Sequence, residues 1–515
     1  MRRIIIILLS FFLLLTLSCK RENTEENIIE NEAGYPKLAM WWPDIWKQSV
    51  SALSRYDYIG FDYWDYEKIE KIKAIKRENP NQKQFLDFTI TETCWNYWSE
   101  PCKIKNINKV PAEWFLTQVG TYLREDIDEK QERIPVEELF DENNNPLFEK
   151  GDTLACEYES MRLLDIDYKR KELIVERGFA RASTSHKKGV RIAAHITLWP
   201  ETWVMNMSKM CPKVDIGDGN GPQNWIEFAT RNYDLKYEDY WDGFIVDRIE
   251  KGESWLLEEW ARTIDPDCSN RVLTDYTNFD KSWYEGCKYL LEYIRNRFKD
   301  KYIIANSFGY YYKYLNGSIF EGCPTNWDND TPETYDDWSF YVLGEHGYIN
   351  VSKSGLSPNF SLVETYEIEE YMEREDNPFN KPNWKPNYQR MRYGLTTALL
   401  GDGYFSYEIN TNGHGGLGLM WFDEYDNGGK KRGYLGQPIE EAKRIQKAGD
   451  GWVWEREFQN GIVICNPTNE RVYVSLNKTY YLIKGTQVPE VNSGEPVTSI
   501  VLEPRDGRIL LKRKN

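Results

Sequence analysis

The chain has 515 residues, with 82 acidic and 65 basic side chains and a formal net charge of −17 at neutral pH. An acidic surface of this kind disfavours nucleic acid and anionic lipid headgroups as partners. The four His and nine Cys residues form neither a Cys-x-x-Cys pair nor a His-Glu-x-x-His motif. We therefore expect no structural zinc, no catalytic metal and no other cofactor.

The N-terminus has the features of an export signal. Arg2 and Arg3 precede an apolar run from Ile4 to Leu17, and Cys19 follows it. The run is short for a membrane span, which needs about 20 residues, so residues 1–19 are predicted to be a signal peptide. A Cys at this point resembles the lipidation site of bacterial lipoproteins. We expect a protein exported to the periplasm or cell surface and anchored by lipid on Cys19, with a plain cleaved signal as the alternative.

The next part of the sequence predicts a tether and then a large α/β domain. Residues 20–36 are charged and poor in apolar side chains, which indicates a flexible tether. From residue 37 onward, short apolar segments alternate with segments of helical spacing. The predicted strands are Lys37–Trp42, Tyr56–Tyr63, Gln84–Ile90, Trp241–Val246, Tyr302–Asn306, Gly317–Glu321, Phe360–Thr365 and Gly403–Tyr407. The predicted helices are Tyr66–Arg77, Trp225–Tyr233, Trp283–Phe298 and Tyr388–Leu400. Eight such units predict a (β/α)₈ TIM barrel over 37–447.

The connection between the third and fourth predicted strands is far longer than an ordinary loop, which predicts an insertion at about 95–199. Its last segment, Val190–Trp199, is strand-like and could instead be a barrel strand, which would raise every later strand number by one. Because the insertion leaves the C-terminal end of a strand, it is expected to overhang the site. Its candidate cleft walls are Trp95, Trp98, Trp114 and Trp199, with Trp203 just beyond.

After Pro438 the pattern changes to a short helix ending near Lys447 and then to short strands at regular spacing. The predicted strands are Trp452–Phe458, Ile462–Cys465, Val472–Ser475, Tyr480–Ile483, Val497–Leu502 and Arg508–Leu511. Turns are expected at Asn460-Gly461 and Asp506-Gly507. The pattern predicts a small C-terminal β-sandwich over 448–515.

Two of the predicted barrel strands deliver an acid to their C-terminal end. Asp247 closes the fourth strand and Glu321 the sixth. Active sites of such barrels lie at this end, and glycosidic bond hydrolysis uses a pair of carboxylic acids. We predict Asp247 as nucleophile or base, Glu321 as general acid, and Asn306 between them as a ligand of sugar or carboxylate. The structural alternatives are a salt bridge from Asp247 to Arg248 or a helix N-cap, and for Glu321 a buried partner of Arg or Lys.

Other side chains on strand ends and loops are candidates for binding sugar hydroxyls or stacking on sugar rings. They are Asp62, Trp64, Trp95, Trp199, Asn306, Glu364, Tyr404, Glu408, His414, Trp421, Asp423 and Glu424. A charged loop face explains Asp423 and Glu424 equally well. The role of Glu321 could also pass to Glu364 or Glu408. Asp402 lies in a Gly-Asp-Gly turn at the opposite end of the barrel, where a structural role is expected.

Four stretches together resemble a family of bacterial barrel proteins catalogued as hypothetical glycosyl hydrolases and related to endo-α-1,4-polygalactosaminidases. They are Tyr240–Asp247, Leu315–Gly322, Leu399–Tyr407, and Trp421–Tyr425 with Leu435–Pro438. The resemblance covers most of Lys37–Pro467 and implies a (β/α)₈ barrel with a C-terminal β domain, a carbohydrate substrate and glycan hydrolysis. Related α-glycosidase barrels favour retention of configuration. A surface lipoprotein that binds glycan without cleaving it is the alternative, and the sequence leaves the oligomeric state open.

Overall fold

The computed structural model describes residues 34–95, 107–198, 202–324, 334–367, 381–409 and 418–513. Cys19, Trp98, Trp199 and His414 lie outside these ranges. Within them, the helices are all too short or too polar to cross a membrane. The chain divides into two units. The larger comprises Ala39–Pro386 and Gly401–Leu419, and the smaller is drawn from Met1–Leu38, Asn387–Leu400 and Met420–Asn515.

The larger unit is built around eight parallel strands. They are β1 Ala39–Trp41, β2 Tyr58–Phe61, β3 Lys83–Phe88, β4 Gly243–Val246, β5 Tyr302–Asn306, β6 Ser318–Phe320, β7 Leu362–Glu367 and β8 Tyr404–Ile409. They are hydrogen-bonded in chain order from β1 to β8. Ser406 Oγ on β8 donates to Met40 Sδ on β1 at 3.3 Å, so the sheet curls into a nearly closed barrel. The predicted TIM barrel is confirmed, and each predicted strand overlaps its counterpart.

Helices connect the barrel strands and cover the sheet. Those of the larger unit are Val50–Leu53, Ile69–Glu78, Trp225–Asn232, Leu256–Glu259, Tyr276–Arg297, Tyr335–Leu343 and Tyr348–Ser354, with 3₁₀ turns at Tyr63–Lys68, Ile107–Lys109, Ala112–Trp114 and Tyr312–Tyr314. Asn224 starts one of them, because its side chain accepts from the Glu227 N–H while the Glu227 carboxylate accepts from the Asn224 N–H. The sequence pattern predicted three of these helices because each has an apolar face.

The insertion between β3 and β4 is an antiparallel sheet with a hydrophobic core of its own. Its six strands are Thr121–Tyr122, Arg133–Pro135, Thr153–Cys156, Glu159–Asp167, Glu172–Arg181 and Arg191–Ala194. Arg191–Ala194 pairs with Thr121–Tyr122 and Thr153–Cys156, so the strand-like segment Val190–Trp199 belongs to the insertion and the barrel numbering is unchanged. A further antiparallel pair, Glu92–Cys94 with Thr202–Val204, extends the insertion slightly beyond its predicted limits at both ends.

Two tryptophans predicted to line a cleft are core residues instead. Trp114 is buried with its ring 5.1 Å from that of Phe228. Trp203 is also buried, stacks on His195 at 4.2 Å, and donates from Nε1 to Thr153 Oγ1 at 2.8 Å. Both predictions were wrong because a large aromatic ring contributes most when it is removed from water.

The smaller unit joins a six-stranded antiparallel sheet to one long helix. Its strands are Lys443–Ala448, Gly451–Glu457, Gly461–Asn466, Val472–Leu482, Pro496–Leu502 and Asp506–Leu511, and its helices are Tyr388–Leu399 and Asp423–Asp426. The helix Tyr388–Leu399 packs on the sheet, where Arg392 Nε lies 3.0 Å from Asp506 Oδ1. A helix that lies between β7 and β8 in the sequence is therefore part of the C-terminal β unit.

Three details of the C-terminal prediction were wrong. The predicted helix ending near Lys447 is the strand Lys443–Ala448, since pairing with Gly451–Glu457 overrides local helix propensity. The two segments predicted around residues 472–483 form one strand whose register shifts between Ser475 and Tyr480. Asp506-Gly507 begins a strand, and the turn lies just before it. The turn predicted at Asn460-Gly461 is matched at Asn460, and Gly461 begins the strand Gly461–Asn466.

We expect Gly286→Ala to destabilise the larger unit. In an ordinary helix this change stabilises by roughly 0.5–1 kcal/mol. In the helix Tyr276–Arg297, however, a Cβ on Gly286 would lie 1.7 Å from the carbonyl oxygen of Met207. Relieving such overpacking should cost about 1–3 kcal/mol of unfolding free energy, measurable by urea unfolding. Tyr289→Ala, on the exposed side of the same helix, is the control, and a gain in stability for Gly286→Ala would contradict this packing.

Candidate functional site

The C-terminal ends of three neighbouring barrel strands bring together three predicted side chains. Asp247 directly follows β4, Asn306 ends β5 and Glu321 directly follows β6. Asn306 Nδ2 donates to Asp247 Oδ1 at 3.2 Å and to Glu321 Oε2 at 2.7 Å. One side-chain amide therefore holds both carboxyl groups, and all three side chains face the same mouth of the barrel.

The shared amide limits how far apart the two accepting oxygens can lie. If both oxygens lay along N–H bonds that diverge by about 120°, they would be about 5.1 Å apart. Retaining glycosidases hold their two carboxyl groups about 5–5.5 Å apart, and inverting enzymes about 6.5–9.5 Å apart. An oxygen separation near this estimate would be closer to the first range than to the second.

Asp247 is held by backbone groups. Its N–H donates to the Phe88 carbonyl at 2.9 Å, and the Arg248 N–H donates to Asp247 Oδ1 at 2.8 Å. Arg248 has a φ of 54°, in the left-handed region that a non-glycine residue seldom adopts. Its guanidinium forms an ion pair with Glu253 and lies 3.5 Å from Glu92 Oε2. The alternative of a salt bridge between Asp247 and Arg248 is therefore wrong.

Glu321 is held from the side opposite Asn306 by a tyrosine. The Tyr366 hydroxyl on β7 donates to Glu321 Oε1 at 2.9 Å and lies 3.2 Å from Glu364 Oε2. Gly322, with a φ of 67°, turns the chain immediately after Glu321. Tyr366 was not among the predicted site residues. Alternation along β7 would have found it, because positions two apart on a strand face the same side and Glu364 was already a candidate.

A second pair of acids lies beneath this mouth. Glu364 on β7 and Glu408 on β8 are 0% and 1% exposed, whereas Asp247 and Glu321 are each 7% exposed. Burial raises the pKa of Glu408 to about 7; a hydrogen bond with Glu364 opposes the rise, and the charge of Glu321 adds to it. Glu364 and Glu408 were predicted to bind sugar, but they have almost no surface that a sugar could reach.

Glu250 is a further acid near the pair that the sequence analysis did not predict. Burial raises its pKa to about 8, and the charges of Glu253, Glu321 and Asp247 add to the rise while that of Arg248 opposes it. Its position in an irregular segment after β4 gave no periodic signal. The surroundings of the pair thus contain carboxyl groups that hold protons near neutral pH.

The structure places the remaining predicted residues of the larger unit in different environments. Asp62 follows β2 at the same mouth and caps the 3₁₀ turn Tyr63–Lys68, which includes Trp64. Trp95 packs against Phe179 and Trp203 in the insertion. Tyr404 starts β8 at the opposite end of the barrel and packs on Tyr58 at 4.9 Å. Tyr404 was wrongly predicted to bind substrate, because parallel strands place their first residues at the far mouth.

Three predicted site residues belong to the smaller unit and have contacts within it. Asp423 Oδ2 accepts from the backbone N–H groups of Thr486 and Gln487, each at 2.8 Å. Glu424 Oε1 accepts from Asn492 Nδ2 at 2.9 Å, and burial raises the pKa of Glu424. Trp421 Nε1 donates to Asp426 Oδ2 at 2.7 Å. These contacts stabilise the loop from Trp421 to Asp426 against its own sheet.

The described ranges contain several acidic, Cys and His side chains that could in principle ligate a metal. In them, no three His, Cys, Asp or Glu side chains are arranged so as to hold a metal ion. The free cysteines of these ranges are Cys94, Cys156, Cys211, Cys268, Cys287, Cys323 and Cys465.

The sequence matches the model of a known family. Residues 184–462 match hypothetical glycosyl hydrolase family 15, a span that includes β4 to β8 and all three side chains at the mouth. No curated protein is detectably similar to the chain in sequence.

Among solved structures, the glycoside hydrolase domain of PelA from Pseudomonas aeruginosa is 9% identical, with a TM-score of 0.36, over 75% of this chain and 98% of that one. The GH36 α-galactosidase AgaA from Geobacillus stearothermophilus is 10% identical, with a TM-score of 0.36, over 92% and 55%. A family GH13_31 enzyme is 9% identical, with a TM-score of 0.42, over 93% and 99%.

We expect Glu408→Gln to remove a pH-dependent loss of stability. Folded Glu408 keeps its proton up to about pH 7, whereas an unfolded glutamic acid loses it near 4.5. Between these values the folded chain binds more protons, so its free energy of unfolding falls as the pH rises, by up to about 1.4 kcal/mol per pH unit. The variant should therefore gain stability relative to the wild type from about pH 5 to about pH 7 in urea unfolding. Asp402→Asn is the control, and a constant difference between Glu408→Gln and wild type across this range would contradict the assignment.

Proposed function

The chain belongs to hypothetical glycosyl hydrolase family 15, and from this premise we propose that it hydrolyses a poly- or oligosaccharide with Asp247 as nucleophile and Glu321 as general acid. Family membership makes the chain a glycoside hydrolase, and the assignment of residues is our own. The observation that carries it is the single Asn306 amide that donates to both carboxyl groups.

The separation of the two carboxyl groups favours a retaining mechanism. In the first step Glu321 protonates the departing glycosidic oxygen while Asp247 attacks the anomeric carbon and forms a covalent glycosyl intermediate. In the second step Glu321 takes a proton from water, which attacks the same carbon and releases Asp247. The estimate of about 5.1 Å between the oxygens bound to Asn306 is shorter than the separation of about 6.5–9.5 Å at which inverting enzymes make room for an attacking water molecule.

The alternative function is glycan binding without cleavage. A binding module needs aromatic faces and hydrogen-bonding groups, but it has no use for two buried acids held a fixed distance apart. The contacts of Asp247 and Glu321 with one shared amide therefore favour hydrolysis over binding alone. Asp62 and Trp64, at the same mouth, are the described candidates for contact with the sugar chain.

We expect Asp247→Asn and Glu321→Gln each to reduce hydrolysis by at least about 10²-fold, because each removes a carboxyl group that takes part in bond breaking. The full chain would be screened against a panel of bacterial and host glycans by release of reducing ends. Asp402→Asn, at the other end of β8, is the matched control, and the melting temperature checks the fold of each variant. Proton NMR of the first anomer released should show retained configuration.

Two outcomes of this screen would overturn the proposal. Full activity in both Asp247→Asn and Glu321→Gln would show that other residues catalyse the reaction. Tight binding of a glycan by the wild-type chain, with no cleavage of any panel member, would instead support the binding module. Cleavage with inverted configuration would overturn only the retaining mechanism.

We propose further that residues 1–19 direct export and that Cys19 carries a lipid anchor. The support is the order of charged residues, apolar run and Cys in the sequence. In a bacterial host, the full chain should take up a palmitate analogue and sediment with membranes, whereas Cys19→Ser should lose both properties. Cys94→Ser is the control, and unchanged labelling of Cys19→Ser would exclude this anchor.

A further inference from the structure

A continuous line of side chains leads from the Asp247–Glu321 pair into the barrel interior. Tyr366 links Glu321 Oε1, at 2.9 Å, to Glu364 Oε2, at 3.2 Å. Glu364 lies next to Glu408, within reach of a hydrogen bond between the two carboxyl groups. Together with Asn306, the line joins four carboxyl groups, which lie on β7 and β8 or directly follow β4 and β6. The two hydrogen-bond donors between them are the Asn306 amide and the Tyr366 hydroxyl.

The burial of Glu364 beside Glu408 favours one proton shared by the two carboxyl groups. Two ionised carboxylates have no hydrogen to share, so a hydrogen bond between them exists only when one of the two is protonated. Both side chains are almost fully buried, where a second negative charge is costly. Glu408 Oε2 is buried and has no hydrogen-bond partner among the described residues. If the pair shares one proton, a hydrogen bond can form between the two carboxyl groups and only one negative charge is buried.

Tyr366 connects this proton to the mouth of the barrel. Its hydroxyl has one hydrogen and lies between two carboxyl groups, so it can accept from one while donating to the other. When Glu364 donates to the Tyr366 oxygen, the Tyr366 hydrogen points to Glu321. When Glu321 donates, the Tyr366 hydrogen points to Glu364. The two arrangements differ only by the movement of two hydrogens along existing contacts.

We propose that Glu364 and Glu408 store one proton beneath the site and that Tyr366 passes it to Glu321. In this transfer the Glu364 carboxyl loses its proton to the Tyr366 oxygen, and the Tyr366 hydroxyl loses its own to Glu321. Tyr366 ends unchanged, Glu364 becomes ionised and Glu321 becomes a neutral acid. The inference rests on the proposed function, since it takes Glu321 as the general acid. Glu364, Glu408 and Tyr366 are positioning residues, because they act on the glycan only through Glu321.

One further titratable group lies near the mouth end of this line: burial raises the pKa of Glu250 to about 8, and the charges of Glu253, Glu321 and Asp247 add to the rise. The remaining groups are engaged in other contacts or act on the line only weakly. Tyr366 faces Glu321, Glu364 and Glu408, and these three carboxyl groups raise its pKa together with burial, which is the largest cause. On β2, Tyr58 is near Glu364. On β3, Asp87 accepts from Trp41 Nε1 at 2.6 Å. Arg248, after β4, forms its ion pairs with Glu253 and Glu92. The stored proton therefore depends on pH through Glu364 and Glu408, whereas Glu250 acts on Glu321 from the other side through its charge.

The test measures the pH dependence of kcat/KM for the full chain and its variants on the glycan found in the screen. Glu408→Gln removes the stored proton and one carboxyl group while keeping the shape of the side chain. We expect the upper pH limit of activity to fall by about one pH unit or more in this variant. Glu364→Gln serves as a second variant if Glu408→Gln does not fold. A merely structural role would lower kcat and leave the upper limit in place.

A double-mutant comparison separates transfer through Tyr366 from the field of the buried charges. In a Tyr366→Phe background the line is broken, so Glu408→Gln should shift the upper limit by less than half as much as it does with Tyr366 present. An equal shift in both backgrounds would show a through-space effect and overturn the relay. An unshifted limit in Glu408→Gln would overturn the store as well.

A readout without substrate distinguishes failure of this inference from failure of the proposed function. At neutral pH the wild-type chain should show the infrared carbonyl band of a buried protonated carboxyl group, and the difference spectrum against Glu408→Gln should contain it. Asp402→Asn should leave the band unchanged. Absence of the band from the difference spectrum would overturn the stored proton. If the band is present and no glycan is cleaved, the proposed function fails and the stored proton stands.

Discussion

Parallel hydrogen bonding around the barrel is the constraint on which the site depends. Since all eight strands run in the same direction, the last residue of each lies at the same mouth, whatever its distance along the chain. Asp247 and Asn306 are 59 positions apart, and Asn306 and Glu321 are 15 apart, yet one amide contacts both acids. Hydrogen bonds of this length require that β4, β5 and β6 be held in fixed register. The long insertion leaves this register unaffected, because it is a separate sheet with its own core.

Two buried acids of this protein have pKa values that are shifted in opposite directions. In the insertion, burial of Glu159 opposes ionisation, but hydrogen bonds from Arg177 and His186 prevail and lower its pKa to about 2. In the barrel, burial raises the pKa of Glu408 to about 7. The first arrangement gives a stable ion pair with Arg177 at 2.7 Å, and the second gives a group that can hold a proton at neutral pH. Only the second suits acid chemistry, and it is found next to the predicted catalytic pair.

Much of the barrel was predictable because its signals are local. Each strand is a short apolar run between polar segments, and Asp247 and Glu321 could be recognised as acids at the ends of such runs. The errors came where pairing and burial in the folded chain decide the structure. The pattern of Lys443–Ala448 predicts a helix, but the segment pairs with the next strand. Trp203 was predicted to line a cleft, but it is buried and stacks on His195. Both partners are near in sequence, yet apolar periodicity does not record which strands pair or which rings are buried.

The sequence by itself determined the strand order, the family, the candidate acids and the position of Asn306 between them, because these depend on local apolar pattern and on motifs. Only the tertiary structure decided that one amide links Asp247 and Glu321, that Arg248 pairs with Glu253 and Glu92, and that Tyr366 connects Glu321 to Glu364. Closure of the barrel creates these contacts, since it joins side chains from separate strands at distances of a few ångströms. The raised pKa values of the buried carboxyl groups follow from the same closure, because desolvation and neighbouring charge act only when those side chains are buried together.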